Sequence, residues 1–356
     1  MVKLEDIIHA SKTQHATSFA NIPPARPMTY LIIGASRGIG LEFVRQLLEQ
    51  QHQVIAVVRS VESASLLWQL TNITSRPHQC IIEQCDVADP VQIDIFVDRM
   101  RNLVERGGNI DTVVLNAGIL HYDKGLGSMQ VEFADLMHHL TVNCVGNVVL
   151  ARKLLELNEL RSVKQEREQR RAARSRSANR RAEARDETKE RVKRIKTEED
   201  EDVGVGDDTR FGEKVIGRQI VFMSSDSGSM ADFREYEVGF AAYGASKAAL
   251  NMMIRHMAVE LRRRSEKQTS AIKTEYLSFK GGGQAGSAWE KEVCVLAMHP
   301  GEVETDMASI NSHLDWEVEG LISPEESVRC MLRVLEDKGP SYSGTFWRWD
   351  GSEHPW

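Results

Sequence analysis

Short runs of apolar residues alternate with stretches of helical periodicity along most of this sequence. Seven of these runs have the length of strands and are apolar almost throughout, which predicts a sheet covered by helices on both faces. They are residues 29–34, 53–59, 80–87, 111–118, 218–225, 292–298 and 344–351, and the longest helical stretches between them are 131–160 and 243–264. The alternation predicts a doubly wound α/β fold with a mostly parallel seven-stranded sheet.

Three segments fall outside this alternation and set the expected domain organisation. Residues 1–27 precede the first run and end in a Pro-rich stretch, so we predict a disordered tail. Residues 161–213 are highly charged, first basic and then acidic, and cannot bury a core. Residues 265–290 are polar and Gly-rich, which predicts a flexible loop. We therefore expect one domain over 28–356 that these two insertions interrupt.

Composition narrows the class of protein. With 41% apolar residues the chain can bury a core, and its modest formal net charge of −7 gives no global reason to expect nucleic acid or a membrane as a partner. No run approaches the about 18 apolar residues of a spanning helix, and the N-terminal residues do not resemble a secretory signal. The five scattered cysteines favour reduced thiols over disulfides or a zinc site. We expect a cytoplasmic protein without a metal, although the basic KRIK at 193–196 leaves a nuclear location open.

A glycine-rich turn, GASRGIG (34–40), lies between the first predicted strand and the first predicted helix. Glycine lets the backbone turn tightly and approach a pyrophosphate, which the free N–H groups at the helix start then stabilise. A purely structural tight turn is the alternative interpretation. The residues expected to contact a dinucleotide here are Gly34, Ser36, Arg37, Gly38, Ile39 and Gly40.

Two arginines refine the expected cofactor. In dinucleotide-binding folds, an acidic residue at the end of the second strand binds the ribose hydroxyls of NAD. Here that strand ends at Arg59, and Arg37 in the glycine-rich turn supplies a second guanidinium. Because two guanidiniums suit a 2′-phosphate, the sequence predicts NADP(H), unless both arginines are merely solvated.

Tyr243 and Lys247 stand four residues apart in a strongly helical stretch, so their side chains share one face of the helix. A free phenol has a pKa of about 10, and a nearby ammonium group should lower the pKa of Tyr243 towards neutrality. Ser224 and Ser225 end the preceding strand, at the edge where parallel sheets carry their active sites. Tyr-x-x-x-Lys alone is common by chance, but in this setting it predicts an acid/base tyrosine beside a serine hydroxyl.

The motifs together resemble the short-chain dehydrogenase/reductase superfamily. In chain order they are the glycine-rich turn, Asp86-Val87, Asn116-Ala117-Gly118, Asn143, Ser225, Tyr243 with Lys247, and Pro300-Gly301. Within that superfamily, YGASKAALNMM and HPGEVETDM are most similar to the carbonyl reductase branch that includes C-factor and sniffer proteins. The resemblance implies a single Rossmann-type catalytic domain over roughly 28–351.

The resemblance also implies a role for each matching position. Tyr243 would be the acid/base, Lys247 would bind the nicotinamide ribose, Ser225 would orient the substrate carbonyl, and Asn143 would hold a water in the proton relay. The remaining cofactor contacts would be Asp86 and Val87 to adenine, Asn116, Ala117 and Gly118 along the cleft, and Pro300, Gly301, Val303 and Thr305 near the carboxamide.

Three features depart from the family pattern. Ser225 and Tyr243 are eighteen residues apart, more than is usual, which enlarges the loop beside the substrate. Glu302 and Glu304 stand where the branch has an aromatic and a basic residue. The charged insertion falls between the segments that carry Asn143 and Ser225. None of these departures removes a catalytic residue.

The main prediction is an NADPH-dependent reductase of aldehydes or ketones that also runs towards the alcohol. The alternatives are a cofactor-binding regulatory protein without turnover and an adaptor that acts through 161–196. The substrate would be a small carbonyl or alcohol, and a homodimer through the helices bearing Asn143 and Tyr243 is possible. Apolar and aromatic residues in the expected pocket segments suggest an apolar substrate: Met230, Phe233, Tyr236, Phe240, Met307, Leu314 and Trp316.

Overall fold

The computed structural model describes residues 27–73, 79–121, 127–158, 216–276, 293–307 and 320–356. Its seven strands are β1 (Thr29–Ile33), β2 (Gln53–Val58), β3 (Cys80–Gln84), β4 (Ile110–Leu115), β5 (Ile216–Met223), β6 (Cys294–His299) and β7 (Thr345–Arg348). They form one sheet in the order β3-β2-β1-β4-β5-β6-β7, and every neighbouring pair is parallel. The predicted doubly wound α/β fold is confirmed, with a sheet that is parallel throughout.

Helices cover both faces of this sheet. They are α1 (Gly38–Glu49), α2 (Ser65–Ile73), α3 (Pro90–Glu105), α4 (Phe133–His139), α5 (147–158), α6 (Ala241–Tyr276) and α7 (Pro324–Asp337). Local capping fixes where some of them begin: the Ser323 hydroxyl accepts a hydrogen bond from the N–H of Glu326, 3.1 Å away, at the start of α7. Among the described residues, no helix has the length and apolar character needed to cross a membrane.

The core lies in two apolar clusters, one on each face of the sheet. Phe222 of β5 belongs to the cluster with α3, α5 and α6, whereas its neighbour Val221 belongs to the cluster with α1, α2 and α7. This alternation follows because successive side chains of a strand point to opposite faces. Each central strand is therefore buried on both sides, as its continuous apolar sequence predicted.

The single helix predicted over 131–160 is interrupted in the structure. A π-helical turn, Leu140–Gly146, separates α4 from α5. The Asn147 side chain donates hydrogen bonds to the carbonyls of Val142 and Ala117, at 2.9 and 3.0 Å, and so competes with regular helical pairing. The spacing of apolar residues does not predict such a side-chain hydrogen bond.

The flexible loop predicted over 265–290 is wrong in its first part, because α6 continues to Tyr276. Residues 265–276 contain neither glycine nor proline, so nothing in this stretch stops the preceding helix. The rest of that segment lies outside the described residues, as do the predicted tail, apart from residue 27, and the charged insertion 161–213.

Parallel pairing brings the carboxyl ends of all seven strands to one edge of the sheet. The strand order reverses between β1 and β4, and this switch point is where doubly wound folds form their ligand crevice. The predicted cofactor and catalytic segments follow each of the strands from β1 to β6, so the topology places them along this edge.

Candidate active site

The glycine-rich turn is shaped by close backbone packing. Gly34 follows β1 with a φ of +85°, and a Cβ there would lie 2.9 Å from the backbone of Ala117. A Cβ on Gly40 would collide with the carbonyl oxygen of Gly34. Only glycine fits either position without moving the backbone.

Helix α1 begins at Gly38 without a side-chain cap. Its N-cap residue, Arg37, gives no capping hydrogen bond, and the first turn contains no acidic residue. The N–H groups at a helix start need acceptors and carry the positive end of the helix dipole. This end of α1 therefore suits an anion.

The turn contacts two other predicted cofactor segments. Asn116, just after β4, donates a hydrogen bond from Nδ2 to the carbonyl of Gly34 at 3.0 Å. A Cβ on Gly38 would lie 3.3 Å from the Thr305 side chain, in the segment after β6. The structure thus brings together the predicted residues that follow β1, β4 and β6.

The other predicted cofactor residues differ in their exposure and in the contacts that they make. Arg37 is exposed and its Nη1 lies 3.4 Å from Oδ2 of Asp306. Arg59 is exposed one residue beyond β2. The carboxylate of Asp86 accepts a hydrogen bond from the backbone two residues on, and Val87 is buried. Ser36 and Ile39, within the turn, are partly buried.

The segment after β6 is held in place by backbone and side-chain contacts. The carbonyl of Pro300 accepts a hydrogen bond from the Ser327 hydroxyl at 2.6 Å. Gly301 has a φ of +86°, and Val303 is buried and pairs with Ile322 in an isolated parallel bridge. This segment is therefore fixed beside the site over the residues that the structure describes.

Tyr243 and Lys247 share one face near the start of α6, as their spacing predicted. The Lys247 ammonium lies 5.6 Å from the centre of the Tyr243 ring, and both residues face the end of β5. Lys247 donates a hydrogen bond to the carbonyl of Met223 at 2.8 Å, and the Ser225 hydroxyl lies close enough to the phenol to act on the pKa of Tyr243, which it lowers. Three of the four predicted catalytic side chains therefore form one closely packed group.

Asn143 joins this group from the π-helical turn. Its Oδ1 accepts from the N–H of Ile119 at 2.7 Å, and its Nδ2 donates to the Ile119 carbonyl and to the Ser246 hydroxyl, both at 2.9 Å. A Cβ on Gly118 would lie 3.3 Å from the Asn143 amide oxygen and 3.7 Å from Nζ of Lys247. The side chain thus ties the loop after β4 to α6, next to the catalytic lysine.

Comparison with known proteins supports this reading of the motifs. The sequence model of the short chain dehydrogenase family matches residues 28–165. An uncharacterized oxidoreductase of Schizosaccharomyces pombe is 35% identical over 147 residues, and C-signal of Myxococcus xanthus is 33% identical over 139 residues. The chain is similar to the short-chain dehydrogenase/reductase family over residues 28–165. The resemblance predicted from the motifs is confirmed.

The relatives and the solved structure cover different shares of this chain. Each of the two relatives aligns with 39% of this chain, over 47% of the yeast protein's length and 61% of C-signal's. A solved structure described as an NADPH-bound carbonyl reductase from chicken fatty liver covers 93% of this chain and 100% of its own, with a TM-score of 0.62 and 23% identity. This structural likeness shows that the two chains share one fold.

The pKa values in the site differ from the prediction made from the sequence. Desolvation raises the pKa of Tyr243 above its ordinary value, the Ser225 hydrogen bond opposes that rise, and Asp226 and Glu302 add to it. Burial also lowers the pKa of Lys247 to about 8. The prediction that Lys247 lowers the pKa of Tyr243 is wrong for this structure, because the surrounding protein desolvates the phenol and the ammonium is hydrogen-bonded to the β5 backbone instead.

An ion-pair network that no sequence motif predicted lies beside Ser225. The buried carboxylate of Asp226 pairs with Arg234 and with Nε2 of His299, the latter at 3.2 Å. Arg234 also lies 3.0 Å from Glu237 and 3.4 Å from Glu302. Arg234 belongs to the enlarged loop and Glu302 replaces the family's aromatic residue, so two departures from the family pattern meet in one network.

Two groups of side chains among the described residues have the chemistry of metal ligands: His121, Asp135 and His139, and Asp226, His299 and Glu302. Both nitrogens of His139 already form hydrogen bonds, with the carbonyl of Asp135 and the N–H of His121. In the second group, Arg234 pairs with both carboxylates. That the protein needs no metal stays a prediction.

Proposed function

We propose that this chain is an NADPH-dependent oxidoreductase that reduces an aldehyde or ketone to an alcohol and also catalyses the reverse reaction. The observation that carries the proposal is the position of Tyr243, whose ring centre lies 5.6 Å from the ammonium of the buried Lys247 and whose pKa is affected by the buried Ser225, at the edge that also carries the glycine-rich turn. A regulatory protein that only bound the cofactor would need no such group.

The residues present fit a nicotinamide dinucleotide. The uncapped start of α1 and the glycine-rich turn would bind the pyrophosphate, and Arg37 with Arg59 would bind the 2′-phosphate. The adenine would contact Asp86 and Val87. The other expected contacts are Asn116, Ala117 and Gly118 along the cleft, Lys247 at the nicotinamide ribose, and Pro300, Gly301, Val303 and Thr305 near the carboxamide. When bound, NADPH supplies the hydride.

The protein's own residues would handle the proton. The Ser225 hydroxyl would turn to the substrate carbonyl and hold its oxygen next to the Tyr243 phenol. Tyr243 would then donate its proton to that oxygen as negative charge develops there. Asn143 would hold the loop after β4 and a water of the proton relay beside Lys247.

The surroundings of the phenol favour an apolar substrate. The ring of Phe240 meets the Tyr243 ring edge-on, with centroids 6.3 Å apart. Met230 and Phe233, in the enlarged loop, are 78% and 72% exposed, and Tyr236 and Met307 are also exposed. Exposed apolar side chains near a site are typical of ligand-binding surfaces. The other two residues of the predicted pocket, Leu314 and Trp316, lie outside the described residues.

Exposed apolar side chains also support a homodimer, which the sequence left open. Val145 of the π-helical turn and Met252 and Met253 of α6 are exposed on the segments that carry Asn143 and Tyr243. Pairing through these segments would remove that apolar surface from water.

A panel of aliphatic and aromatic aldehydes and ketones tests the proposed activity. We expect at least one apolar member to accelerate the loss of NADPH absorbance, with the alcohol as product. NADPH binding without turnover across the whole panel would favour the regulatory alternative.

NADPH should bind about tenfold or more tightly than NADH, because a charge-assisted hydrogen bond to phosphate contributes about 1.5–3 kcal/mol. Calorimetric titration of both cofactors measures the ratio. Arg37→Ala should weaken NADPH binding and leave NADH binding unchanged. Arg45→Ala is the matched control, because Arg45 lies on α1 but pairs with Glu42 and Glu49. Equal affinities for the two cofactors would contradict the assignment.

A further inference from the structure

The enlarged loop, residues 226–240, begins in a tightly packed turn. A Cβ on Gly228 would lie 2.7 Å from the backbone of Lys247, and one on Gly244 would lie 2.9 Å from the carbonyl oxygen of Ser227. Two glycines thus let the first residues of the loop pack directly on the backbone of α6. This packing fixes the start of the loop and the start of α6 against each other.

The rest of the loop has little apolar surface packed beneath it. None of the described residues 230–240 is buried, and four large side chains there are more than half exposed: Met230, Phe233, Tyr236 and Val238. A segment that buries few apolar groups opens at a low free-energy cost unless other contacts hold it. Polar contacts are therefore the main attachment of this part of the loop.

Arg234 supplies such contacts from the middle of the loop. Its side chain is 22% exposed, and its guanidinium pairs with the carboxylate of Asp226. Its Nη1 lies 3.0 Å from Oε1 of Glu237 and 3.4 Å from Oε1 of Glu302. Burial opposes the charge of Arg234, but Asp226 and Glu237 outweigh burial and raise its pKa. A planar guanidinium has five N–H groups in fixed directions, so one side chain can join three carboxylates.

Two of these carboxylates are fixed to the carboxyl end of the sheet. Asp226 is 3% exposed and lies against the last residue of β6: His299 Nε2 is 3.2 Å from its carboxylate, and His299 Nδ1 accepts its backbone N–H at 3.4 Å. Glu302 follows β6, and its carbonyl accepts the N–H of Ile322 at 2.9 Å. Arg234 therefore joins the middle of the loop to the ends of β5 and β6.

The aromatic wall beside the phenol follows from this anchor. Glu237 is three residues after Arg234, and its carbonyl accepts the N–H of Phe240 at 3.4 Å. The Phe240 carbonyl accepts the N–H of Gly244 at 2.7 Å, and the Phe240 ring meets the Tyr243 ring edge-on. The anchor at Arg234 thus fixes where the loop and Phe240 stand relative to Tyr243.

We propose that Arg234 is a positioning residue that holds the enlarged loop against the ends of β5 and β6, and so keeps the apolar wall of the substrate site in place beside Tyr243. This inference rests on the proposed oxidoreductase function. Without the guanidinium, the loop would be in place for only part of the time, and the apparent affinity for substrate would fall by that fraction. Bound substrate selects the loop in place, so kcat and cofactor binding depend little on Arg234.

Arg234→Gln tests the proposal through the separate values of KM and kcat. We expect KM for an accepted apolar aldehyde to rise about tenfold, which corresponds to a loop in place for about a tenth of the time. The values of kcat and of Kd for NADPH should stay within about twofold of the wild type, because the variant loses binding that the ground state and the transition state share. Steady-state kinetics and calorimetry give the three values.

Arg348→Met is the matched control. Arg348 also pairs with a residue of the loop, since its Nη2 lies 3.4 Å from Oδ2 of Asp232, but both side chains are more than a third exposed. Exposed ion pairs contribute little, so KM should change by less than about twofold. A rise in KM equal to that of Arg234→Gln would overturn the role assigned to Arg234.

Hydrogen exchange measured by mass spectrometry reports on the loop without any substrate. In Arg234→Gln, peptides over residues 234–243 should exchange about tenfold faster, because exchange follows the population of the opened loop. Exchange in β5 should not change. Glu302→Gln removes one anchor and leaves Asp226 paired, so KM and loop exchange should both rise, by less. This variant decides the matter if Arg234→Gln does not fold.

The proposal requires both changes together. Faster loop exchange with an unchanged KM would show that the loop does not form the substrate site. A raised KM with unchanged exchange would show that Arg234 contacts the substrate and does not hold the loop. Either result would overturn the proposal. The proposed function fails separately: it is wrong if the wild type reduces no carbonyl compound, whereas the exchange measurement needs no turnover.

Discussion

Tyr243→Phe should lower kcat by about 10²–10⁴-fold and leave the Kd for NADPH nearly unchanged, because general acid catalysis contributes a factor of that size. The phenol proton is needed only when charge develops on the substrate oxygen, so its loss falls on the transition state. The substitution keeps the ring and its edge-on contacts with His139 and Phe240. The fold should therefore be preserved.

The structural alternative is that Tyr243 only packs at the start of α6. In that case phenylalanine would be tolerated, because the ring contacts remain. Steady-state kinetics on an accepted carbonyl compound, with cofactor binding and melting temperature measured in parallel, distinguish the two. Retention of more than about a tenth of wild-type kcat would show that Tyr243 is not the acid/base.

Lys247→Met should weaken NADPH binding about tenfold or more and also lower kcat strongly. Lys247 is proposed to bind the nicotinamide ribose and so to orient the hydride donor beside Tyr243, so both measurements should change, unlike in Tyr243→Phe. Calorimetry and steady-state kinetics give the two values. Lys153→Met is the matched control, because Lys153 lies on α5 and pairs with Asp94.

The melting temperature of Lys247→Met distinguishes a loss of cofactor binding from unfolding of the variant. The pKa of Lys247 is lowered from 10.5 to about 8 in the folded protein, so between these values the unfolded chain binds more protons and stability rises with pH. At neutral pH the buried ammonium therefore destabilises the folded state. Because Lys247→Met removes this charge, its melting temperature should be no lower than that of the wild type. A lower melting temperature with unchanged cofactor affinity would mark Lys247 as a structural residue.

The strands and the order of the motifs could be predicted because both depend on local sequence. An apolar run such as the one that forms β5 is buried on both faces wherever it lies in the sheet. The spacing of Tyr243 and Lys247 fixes their relative direction through the geometry of one helical turn. Such features do not depend on how distant segments meet.

The features that could not be predicted depend on tertiary contacts. The end of α6 was missed because a polar composition favours a loop, whereas the stretch up to Tyr276 contains no residue that stops a helix. Arg234 of the enlarged loop pairs with Asp226, after β5, and with Glu302, after β6. The spacing of these residues in the sequence does not predict that they are in contact. The direction of the Tyr243 pKa depends on how far the fold desolvates the phenol, which a motif does not reveal.

Transfer of label from deuterated NADPH tests the central claim most directly. Both stereoisomers of the cofactor, labelled at the transferable position, are incubated with the enzyme and an accepted aldehyde or ketone, and the product is analysed by mass spectrometry. The account predicts an alcohol with one deuterium on its carbinol carbon from one of the two cofactors, and almost none from Tyr243→Phe. An alcohol that carries no label from either cofactor, or equal labelling by Tyr243→Phe, would contradict it.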